Sequence, residues 1–420
     1  MAESRRILLI GGNSRHFHAA KALDLEVVYC QFPADFNPEY GSLIEGALLA
    51  DYTDWDTFRP LVKAAYEAWG FSTVVSLTEP GLDPAGRVND LLGLGGTSYE
   101  VSHRFTNKYT MRRWLAEVAA PDVPIVASAV VAGRESMAEF GAEHGYPFIV
   151  KPSAGTASFG VYQVTDESTI DTVLAEIGER RADTSHPLTQ VYDLDQYLME
   201  EYLDGPVYSA EAFSFEGRHI VLANTEAVTL EGTVVHAGHA VPARLAPEHE
   251  DAVSTAIPAF LDAMGYRDGP SHTEFKLTER GPVVIESQNR IGGALINEMV
   301  HAVYGIDMHE LTMGRPHRLV EEITVRPAAK GAAASWLVVA EPGEIVEIGG
   351  VDGALADPDT LGIDLGGAKP GDVVRSLDGS WDGLGHVAVR DADTGSAIDA
   401  SLAKVADIKV HTRPAADPRD

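Results

Sequence analysis

The apolar positions of the first hundred residues fall into short runs separated by amphipathic stretches. Runs at residues 6–10, 26–29 and 73–77 are rich in β-branched residues, a composition typical of buried strands. One stretch with helical spacing extends through Lys21, and another covers about residues 56–69. Strands that alternate with helices in this way predict a small parallel sheet covered by helices.

The pattern changes further along the chain. A helix that carries Lys108 is followed by a compact mixture of strands and helices to about residue 226, and by a longer mixed segment to about residue 313. Beyond about residue 322 the chain has repeated Gly and Asp residues between short β-type runs. We therefore expect an α/β and α+β multi-domain protein divided at residues 1–105, 106–321 and 322–420.

A predicted hairpin brings two glutamates together. If its loop has three residues and ends with Gly281 in the left-handed conformation, Thr278 pairs with Pro282 and Glu274 lies opposite Glu286. The β-carbons of directly opposed residues are roughly 5 Å apart, and like charges there are destabilising. A twisted hairpin that turns one glutamate toward solvent is the alternative.

Two facing carboxylates require a proton or a metal ion between them. Oxygen ligands with no cysteine nearby favour magnesium, which commonly binds one or two carboxylates together with substrate phosphates. The hairpin therefore predicts a magnesium site.

A loop of small residues follows a buried strand that ends at Lys151. Residues 153–160 include two glycines, and the next strand begins at Val161. Small residues allow backbone amides to approach an anion closely, and lysine adds a compact positive charge. The segment predicts a phosphate-binding loop that differs from a P-loop, because the G-x-x-x-x-G-K-[ST] spacing is absent. An ordinary hairpin loop is the alternative.

The amino-acid composition limits the kinds of molecule that this protein is expected to bind. A chain of 420 residues is long enough for two or three domains, and its net charge of −31 arises from 63 acidic and 32 basic residues. This charge repels polyanions, so we expect no nucleic-acid partner and no anionic membrane surface. The single cysteine, Cys30, excludes an intramolecular disulfide and a clustered-thiolate zinc site. No run approaches the roughly 20 apolar residues that span a bilayer, and we expect a cytoplasmic protein.

The turn at Gly11-Gly12-Asn13 follows the first strand and invites comparison with dinucleotide-binding loops. The G-x-G-x-x-G spacing of those loops is absent, which argues against a dinucleotide site.

Taken in order, these motifs resemble the ATP-grasp superfamily over essentially the whole chain. The resemblance implies an ATP-grasp fold with an N-terminal Rossmann-like pre-grasp domain at residues 1–105 and a β-rich C-terminal domain at residues 322–420. Between them it implies an ATP-grasp domain whose small, lid-bearing subdomain covers about residues 124–204 and whose large subdomain covers about residues 205–321.

The resemblance also implies an ATP site. Lys108 and Lys151 match the two lysines that contact ATP phosphates in the family, and residues 199–211 resemble the hinge whose backbone reads adenine. The positions implied to bind the nucleotide are Lys108, Lys151, Ser153, Thr156, Ala157, Ser158, Glu200, Tyr202, Leu203 and Glu211.

Glu274, Glu286 and Gln288 match the family's ligands for Mg²⁺, for which Mn²⁺ is an alternative. Arg290 matches the arginine that steadies the substrate carboxylate or its acyl phosphate. Gln288 stands where the family usually has asparagine, and its side chain is one methylene longer but still offers a carbonyl oxygen. The family's ribose-binding glutamate is also replaced, by Val207, and Asp204 or Glu211 is expected to take that role.

Within the superfamily, the L-amino-acid ligases that make dipeptides are the most similar group. The resemblance rests on the run that begins at His272, on residues 226–242 with His236 and His239, and on the β-rich tail. It implies small-molecule carboxylate and amine substrates joined through an acyl phosphate, with release of ADP and phosphate, and a homodimer by analogy. A non-catalytic nucleotide-binding homologue and a carboxylase that acts through carboxyphosphate are the rivals.

Several residues are expected to bind substrate. Glu79 follows a buried strand at the edge where parallel sheets bind ligands, and there it would meet an ammonium group unless it only forms a helix cap or turn. The residues expected to be catalytic are Arg290, Lys151, His239 and His272, although each histidine has a purely structural alternative. Gly293 and Ala294 leave space for a substrate side chain.

Overall fold

The computed structural model of the protein describes residues 5–229, 236–377 and 382–414. Its N-terminal part is a four-stranded parallel sheet of order β3-β2-β1-β4 with helices against it, as the alternating pattern predicts. Its elements are β1 (Arg6–Ile10), α1 (Ser14–Ala22), β2 (Glu26–Gln31), β3 (Gly46–Leu49), α2 (Trp55–Trp69), β4 (Thr73–Val75) and α3 (Glu79–Leu92).

Local signals in the sequence fix the ends of these helices. The Asn13 side chain accepts a hydrogen bond from the backbone of α1, and Asp54 does the same for α2. Gly70 ends α2 in the left-handed conformation, which glycine adopts without steric cost. Two short helices then lead to the next domain, α4 (Tyr99–Thr106) and α5 (Lys108–Val118).

The next part forms a separate four-stranded antiparallel sheet of order β5-β8-β6-β7. It has its own apolar core, which includes Met137, Phe148 and Ile177. We call residues 124–204 the lid subdomain. Its elements are β5 (Ser128–Val130), α6 (Arg134–His144), β6 (Phe148–Pro152), β7 (Tyr162–Val164), α7 (Ile170–Ala182), α8 (Pro187–Val191) and β8 (Tyr197–Glu201).

The rest of the chain is arranged around an eight-stranded sheet of order β13-β12-β9-β10-β11-β14-β18-β16. Its first half and the adjoining helices are β9 (Val207–Phe215), β10 (Arg218–Thr229), β11 (His236–Val241), α9 (Pro247–Ala263), β12 (Gly269–Thr278), β13 (Gly281–Gln288), α10 (Ile296–Tyr304) and α11 (Met308–Gly314). The remaining elements are β14 (Ala332–Val338), β15 (Gly343–Gly349), α12 (Val351–Leu355), β16 (Thr360–Asp364), β17 (Val373–Val374), β18 (Gly385–Asp391), α13 (Thr394–Asp407) and β19 (Lys409–Arg413).

The C-terminal segment is β-rich, as its sequence predicts, and it shares the large sheet with the strands that precede it. Three of its strands, β14, β16 and β18, extend the large sheet, because β14 pairs directly with β11. Gly238 permits this junction, since a β-carbon there would lie 2.3 Å from the ring of Trp336. Only β15, β17 and β19 form a sheet of their own, and α13 packs on β14 and β18.

The hairpin of β12 and β13 reaches the predicted pairing by a different route. Its loop has two residues rather than three, so Thr278 pairs with Gly281 and not with Pro282. A bulge between Glu274 and Phe275 then shifts the register by one residue, and Glu274 lies opposite Glu286 as expected. The predicted loop length was wrong, and the bulge compensates for it.

Within the described residues, no helix is both long and apolar enough to cross a bilayer.

Candidate active site

One cavity of about 1450 Å³ lies where the N-terminal sheet, the lid subdomain, the large sheet and the C-terminal strands meet. Most of the residues predicted from the sequence line it. They are Glu79, Lys108, Lys151, Thr156, Ala157, Ser158, Glu200, Tyr202, Leu203, His239, His272, Glu274, Glu286, Gln288, Arg290, Gly293 and Ala294.

Two predicted nucleotide-binding residues do not line this cavity. The Ser153 side chain is buried and donates to Gln196 Oε1 at 2.8 Å. Glu211 has no exposed surface, and its carboxylate accepts from Ser209 and Thr225 and pairs with His272. These geometries do not favour nucleotide contacts by either side chain. Asp204, the other candidate for the ribose, is exposed and also lies outside the cavity lining.

Lys108 connects the phosphate-binding loop to the carboxylates. It begins α5, and its backbone amide donates to Ser153 O at 2.7 Å. Its Nζ donates to Gly155 O at 2.8 Å and lies 3.0 Å from Glu286 Oε2. Burial alone would lower the pKa of Lys108, but Glu286 and Glu79 outweigh burial and raise it. Lys108 therefore keeps a positive charge at the end of the cavity where the loop lies.

Lys151 belongs to a buried group of three charges. Its Nζ lies 2.8 Å from Glu200 Oε2, and the Arg112 guanidinium holds the same carboxylate with bonds of 2.8 and 3.2 Å. Burial would raise the pKa of Glu200, yet the two cations hold it at about 2. Burial lowers the pKa of Lys151, which Glu200 partly offsets. The Glu200 side chain is thus fully engaged with these two cations.

The predicted metal ligands form one group on β12 and β13. Glu274 faces Glu286 across the hairpin, and Gln288 Nε2 donates to Glu286 Oε1 at 3.1 Å. The other end of that amide, Oε1, is buried and has no hydrogen-bond partner within the described chain. An unpaired buried carbonyl oxygen is costly unless another species binds it. Within the described residues, no group of three or more His, Cys, Asp and Glu side chains is arranged to hold a metal ion.

His272 lies beside the carboxylate pair. Its Nδ1 is 2.9 Å from Glu211 Oε2, and its Nε2 is 3.5 Å from Glu274 Oε1. Burial opposes the charge of His272, but Glu211 and Glu274 raise its pKa to about 10. Gly292 must lack a side chain here, since a β-carbon would lie 2.7 Å from His272 Nδ1. His272 is therefore a fixed cation next to Glu274.

His239 lies close to two other histidines, His236 and His386, with ring centroids 6.0 and 6.5 Å away. Burial, reinforced by both neighbours, lowers the pKa of His239 well below its usual value. Its Nδ1 is buried without a partner in the described residues. At neutral pH His239 thus offers an uncharged ring to the cavity, unlike His272.

Glu79 and Arg290 form an ion pair at the N-terminal side of the cavity. Arg290 Nη2 donates to Glu79 Oε2 at 2.7 Å, and Nη1 donates to Ile291 O at 3.0 Å. Glu79 begins α3 directly after β4, as the sequence predicts, although it is Thr78 that precedes the helix as its cap residue. No neighbouring atom would touch a β-carbon at Gly293, which leaves open space nearby.

Sequence reasoning missed several cavity residues from distant parts of the chain. The Gly11-Gly12 turn lines the cavity together with His16, although it lacks a dinucleotide-binding spacing. Tyr192 lies near Glu79 and Arg290, and burial raises its pKa above the usual range. Asp364 and His386 come from the C-terminal strands. Of these residues, only the Gly-Gly turn forms a motif that can be recognised in the sequence. The others reach the cavity only because folding brings distant segments together.

Comparison with known protein families identifies two matching regions. Residues 144–298 match the ATP-grasp domain, and residues 335–413 match the L-amino acid ligase C-terminal domain 2. The first region contains Lys151, the loop and both glutamates of the hairpin. The second contains β14 to β19, which complete the large sheet and add the smaller one.

Individual proteins agree with these matches. The uncharacterized protein y4rH of Sinorhizobium fredii is 27% identical over 91% of this chain and 78% of that protein. The L-arginine-specific L-amino acid ligase of Bacillus subtilis is 22% identical over 67% of this chain and 66% of its own length. The crystal structure of an L-amino acid ligase from Bacillus licheniformis superposes with a TM-score of 0.81 at 19% identity, covering 98% of this chain and 100% of that one.

The fold of the whole chain thus matches that of a solved L-amino acid ligase. Both family regions contribute residues that line the cavity. The chain therefore contains an ATP-grasp domain at residues 144–298 and the L-amino acid ligase C-terminal domain 2 at residues 335–413.

Proposed function

We propose that this protein is an ATP-dependent carboxylate-amine ligase that joins amino acids or amino-acid-like substrates through an acyl phosphate. The observation that carries the proposal is the set of donors on one hairpin, Glu274, Glu286 and the unpaired Oε1 of Gln288, beside two buried lysines. Carboxylates and amide oxygens are the ligands that Mg²⁺ prefers. Enzymes of the ATP-grasp family use ATP and Mg²⁺, and this donor set fits that ion.

The ATP site follows from the same arrangement. Lys108 and Lys151 meet the phosphates beside the loop at residues 153–160, and Ala157 and Ser158 have φ angles of 57° and 60° that turn this loop. Tyr202 and Leu203 line the cavity at the hinge and suit an adenine base. The ribose must bind without an acidic residue at position 207, because Val207 lines the cavity there.

The charges at the other side of the cavity suit an amino acid. Glu79 is buried, and the half-buried Arg290 next to it has the opposite charge. A zwitterion complements such a pair, since its ammonium meets the carboxylate of Glu79 and its carboxylate meets the guanidinium of Arg290. Gly293 leaves space for a side chain. We therefore propose that the activated substrate is an amino acid and that it binds at Glu79 and Arg290.

The reaction needs no covalent bond to the enzyme. Arg290 holds the substrate carboxylate while it attacks the γ-phosphorus of ATP, which yields an acyl phosphate and ADP. The neutral amine of the second substrate then attacks the acyl carbon and displaces phosphate. When bound, Mg²⁺ neutralises phosphate charge in the first step. Lys108, Lys151 and His272 supply further positive charge, so catalysis rests on positioning and electrostatic stabilisation.

The proposal is tested by incubating the protein with Mg-ATP and pooled amino acids while phosphate release is recorded. Mass spectrometry of the mixture identifies the nucleotide product and any new amide. We expect ADP, together with a mass equal to two amino acids less one water. AMP as the product would contradict the acyl-phosphate route, and consumption of ATP that depends on bicarbonate would favour the carboxylase instead.

A variant tests the hairpin directly. Glu274→Ala removes one of the two facing carboxylates, and we expect turnover to fall by on the order of 100-fold or more while the fold persists. Glu279→Ala is the matched control, because Glu279 lies in the exposed loop of the same hairpin. Near wild-type turnover in Glu274→Ala would exclude this residue from the site.

A further inference from the structure

A buried pair joins the lid subdomain to the C-terminal segment. His186 Nε2 lies 3.2 Å from Asp382 Oδ1, and the two side chains are only 4% and 3% exposed. They are 196 residues apart in the chain. Arg375 adds a second connection, since its Nη2 donates to Ser185 O at 2.8 Å. The C-terminal segment therefore holds the lid subdomain at residues 185–186.

The protonation of His186 suits this contact. His186 caps the N-terminus of α8, and its Nδ1 accepts a hydrogen bond from the Leu188 amide at 3.1 Å. A ring nitrogen that accepts carries no proton, so the proton of neutral His186 resides on Nε2. That nitrogen faces Asp382 and donates to its carboxylate.

The same histidine contacts the phosphate-binding loop. The rings of His186 and Phe159 stack with centroids 4.3 Å apart and an interplanar angle of 24°. Phe159 is 3% exposed, and the guanidinium of Arg180 lies 4.4 Å from its ring centroid. Thr156, which lines the cavity, accepts a hydrogen bond from the Phe159 amide at 3.1 Å. Movement at His186 is therefore transmitted to the loop through Phe159.

We propose that His186 and Asp382 are positioning residues that keep the loop at residues 153–160 closed over the reacting phosphate. The inference rests on the proposed ligase function. A closed loop excludes water from the acyl phosphate. When the loop opens, water attacks the acyl carbon, its oxygen forms a new bond there, and the bond from that carbon to the phosphate oxygen breaks. The products are the original carboxylic acid and free phosphate, so ATP is consumed without amide formation.

The decisive quantity is the number of ADP molecules released for each amide formed. Asp382→Ala removes the acceptor of the His186 proton while leaving every residue of the cavity lining in place. We expect this ratio to rise by on the order of 10-fold, because the loss of a buried hydrogen bond to a charged group shifts the closed fraction by about that factor. Asp382→Asn keeps an acceptor oxygen and should restore most of the coupling.

Asp359→Ala is the matched control. Asp359 also lies in the C-terminal segment, but its side chain is exposed and pairs with Arg390 of the same segment rather than with the lid subdomain. We expect Asp359→Ala to release as many ADP molecules for each amide formed as the wild type does. If Asp382→Ala leaves the ratio unchanged, whether or not both rates fall together, the pair does not position the loop and the inference is wrong.

Hydrogen exchange separates this inference from the ligase proposal, since it requires no turnover. Exchange at the amides of residues 156–161 is measured in the presence of ADP and Mg²⁺. We expect faster exchange in Asp382→Ala than in the wild type, and a smaller increase in Arg375→Ala, which removes only the exposed contact to Ser185. Faster exchange in a protein that makes no amide would support the contact and reject the ligase. Identical exchange in all three proteins would reject the contact.

Discussion

The amide of Gln288 is the most informative single side chain of the candidate site. Its Nε2 is occupied by Glu286, whereas its Oε1 is buried and unpaired in the described structure. The sequence alone showed only that this side chain is one methylene longer than the asparagine usual in the family. The hydrogen bond to Glu286 fixes the orientation of the amide, so its oxygen remains the end that is free to bind a cation.

This orientation leads to a testable result. Gln288→Leu keeps the approximate volume but removes the carbonyl, and we expect the Mg²⁺ concentration for half-maximal turnover to rise by on the order of 10-fold. Gln288→Asn retains a carbonyl and should respond much like the wild type. An unchanged Mg²⁺ requirement in Gln288→Leu would show that the amide does not bind the ion.

At the residue scale, most of the side chains predicted from the sequence line the cavity, but few of their partners were predicted. Glu274, Glu286 and Lys151 follow from local motifs that the chain carries intact. Glu211 was placed at the nucleotide, whereas it pairs with His272, which lies 61 residues away. This contact forms because β9 and β12 are neighbours in the sheet. No short sequence motif predicts that these two strands pair.

Arg112 shows how one helix holds the bulged strand. It extends from α5, and its guanidinium donates to the carbonyls of Val284 and Ile285, each at 2.9 Å, in addition to Glu200. The bulge between Glu274 and Phe275 takes Ile285 out of the strand pairing, so these carbonyls need another donor. Arg112 therefore supports the register that brings the two glutamates together.

Arg112→Met is expected to destabilise the protein. It leaves Glu200 buried with Lys151 as its remaining cationic partner. It also removes a donor from the Val284 and Ile285 carbonyls, of which only Ile285 O still accepts from Lys151 Nζ, at 3.2 Å. Breaking a buried charge pair costs about 3–5 kcal/mol, and we expect a loss of that size in the free energy of unfolding. Denaturant titration monitored by fluorescence measures it. Arg113→Met, on the exposed side of the same helix, is the control. A loss below about 1 kcal/mol would contradict this role.

At the scale of elements, the sequence predicted the hairpin, the strand before the phosphate-binding loop and the alternating N-terminal elements. These depend on periodicity and turn residues, which are local properties. The loop length of the hairpin was predicted incorrectly because a bulge leaves no clear mark in a run of alternating residues. The extension of the large sheet by β14, β16 and β18 was also missed, since strand order between distant segments is set by packing.

The whole molecule contains histidines that are buried without charge, and these govern its response to acid. Burial lowers the pKa of His16 to about 3 and that of His386 to about 4. The unfolded chain binds protons at these positions below about pH 6.5, whereas the folded chain does not until the lower values are reached. The folded state is therefore fully favoured above pH 6.5 and loses stability as the pH falls from there.

We expect each of these two histidines to contribute about 1.4 kcal/mol of lost stability per pH unit between pH 6 and pH 4. Thermal unfolding at a series of pH values measures the trend. In His386→Gln the loss of stability per pH unit should be smaller by the contribution of one histidine. His18→Gln changes an exposed position of α1 and should leave the pH dependence as in the wild type. Glu200 and Glu274, with pKa values of about 2, lose their share only at lower pH, mostly outside this window. A slope that is identical in His386→Gln would contradict the assignment.

The large sheet crosses from the strands that carry the carboxylates to the strands of the C-terminal segment without interruption. Its junction is the antiparallel pairing of β11 with β14. A shortened protein that ends before Ala332 would therefore leave residues 238–241 of β11 as an unpaired edge with bare amides and carbonyls. Such an edge recruits strands from other molecules. Removing the C-terminal segment should thus turn a monodisperse preparation into an aggregating one, even though nearly all the residues that bind the substrates remain.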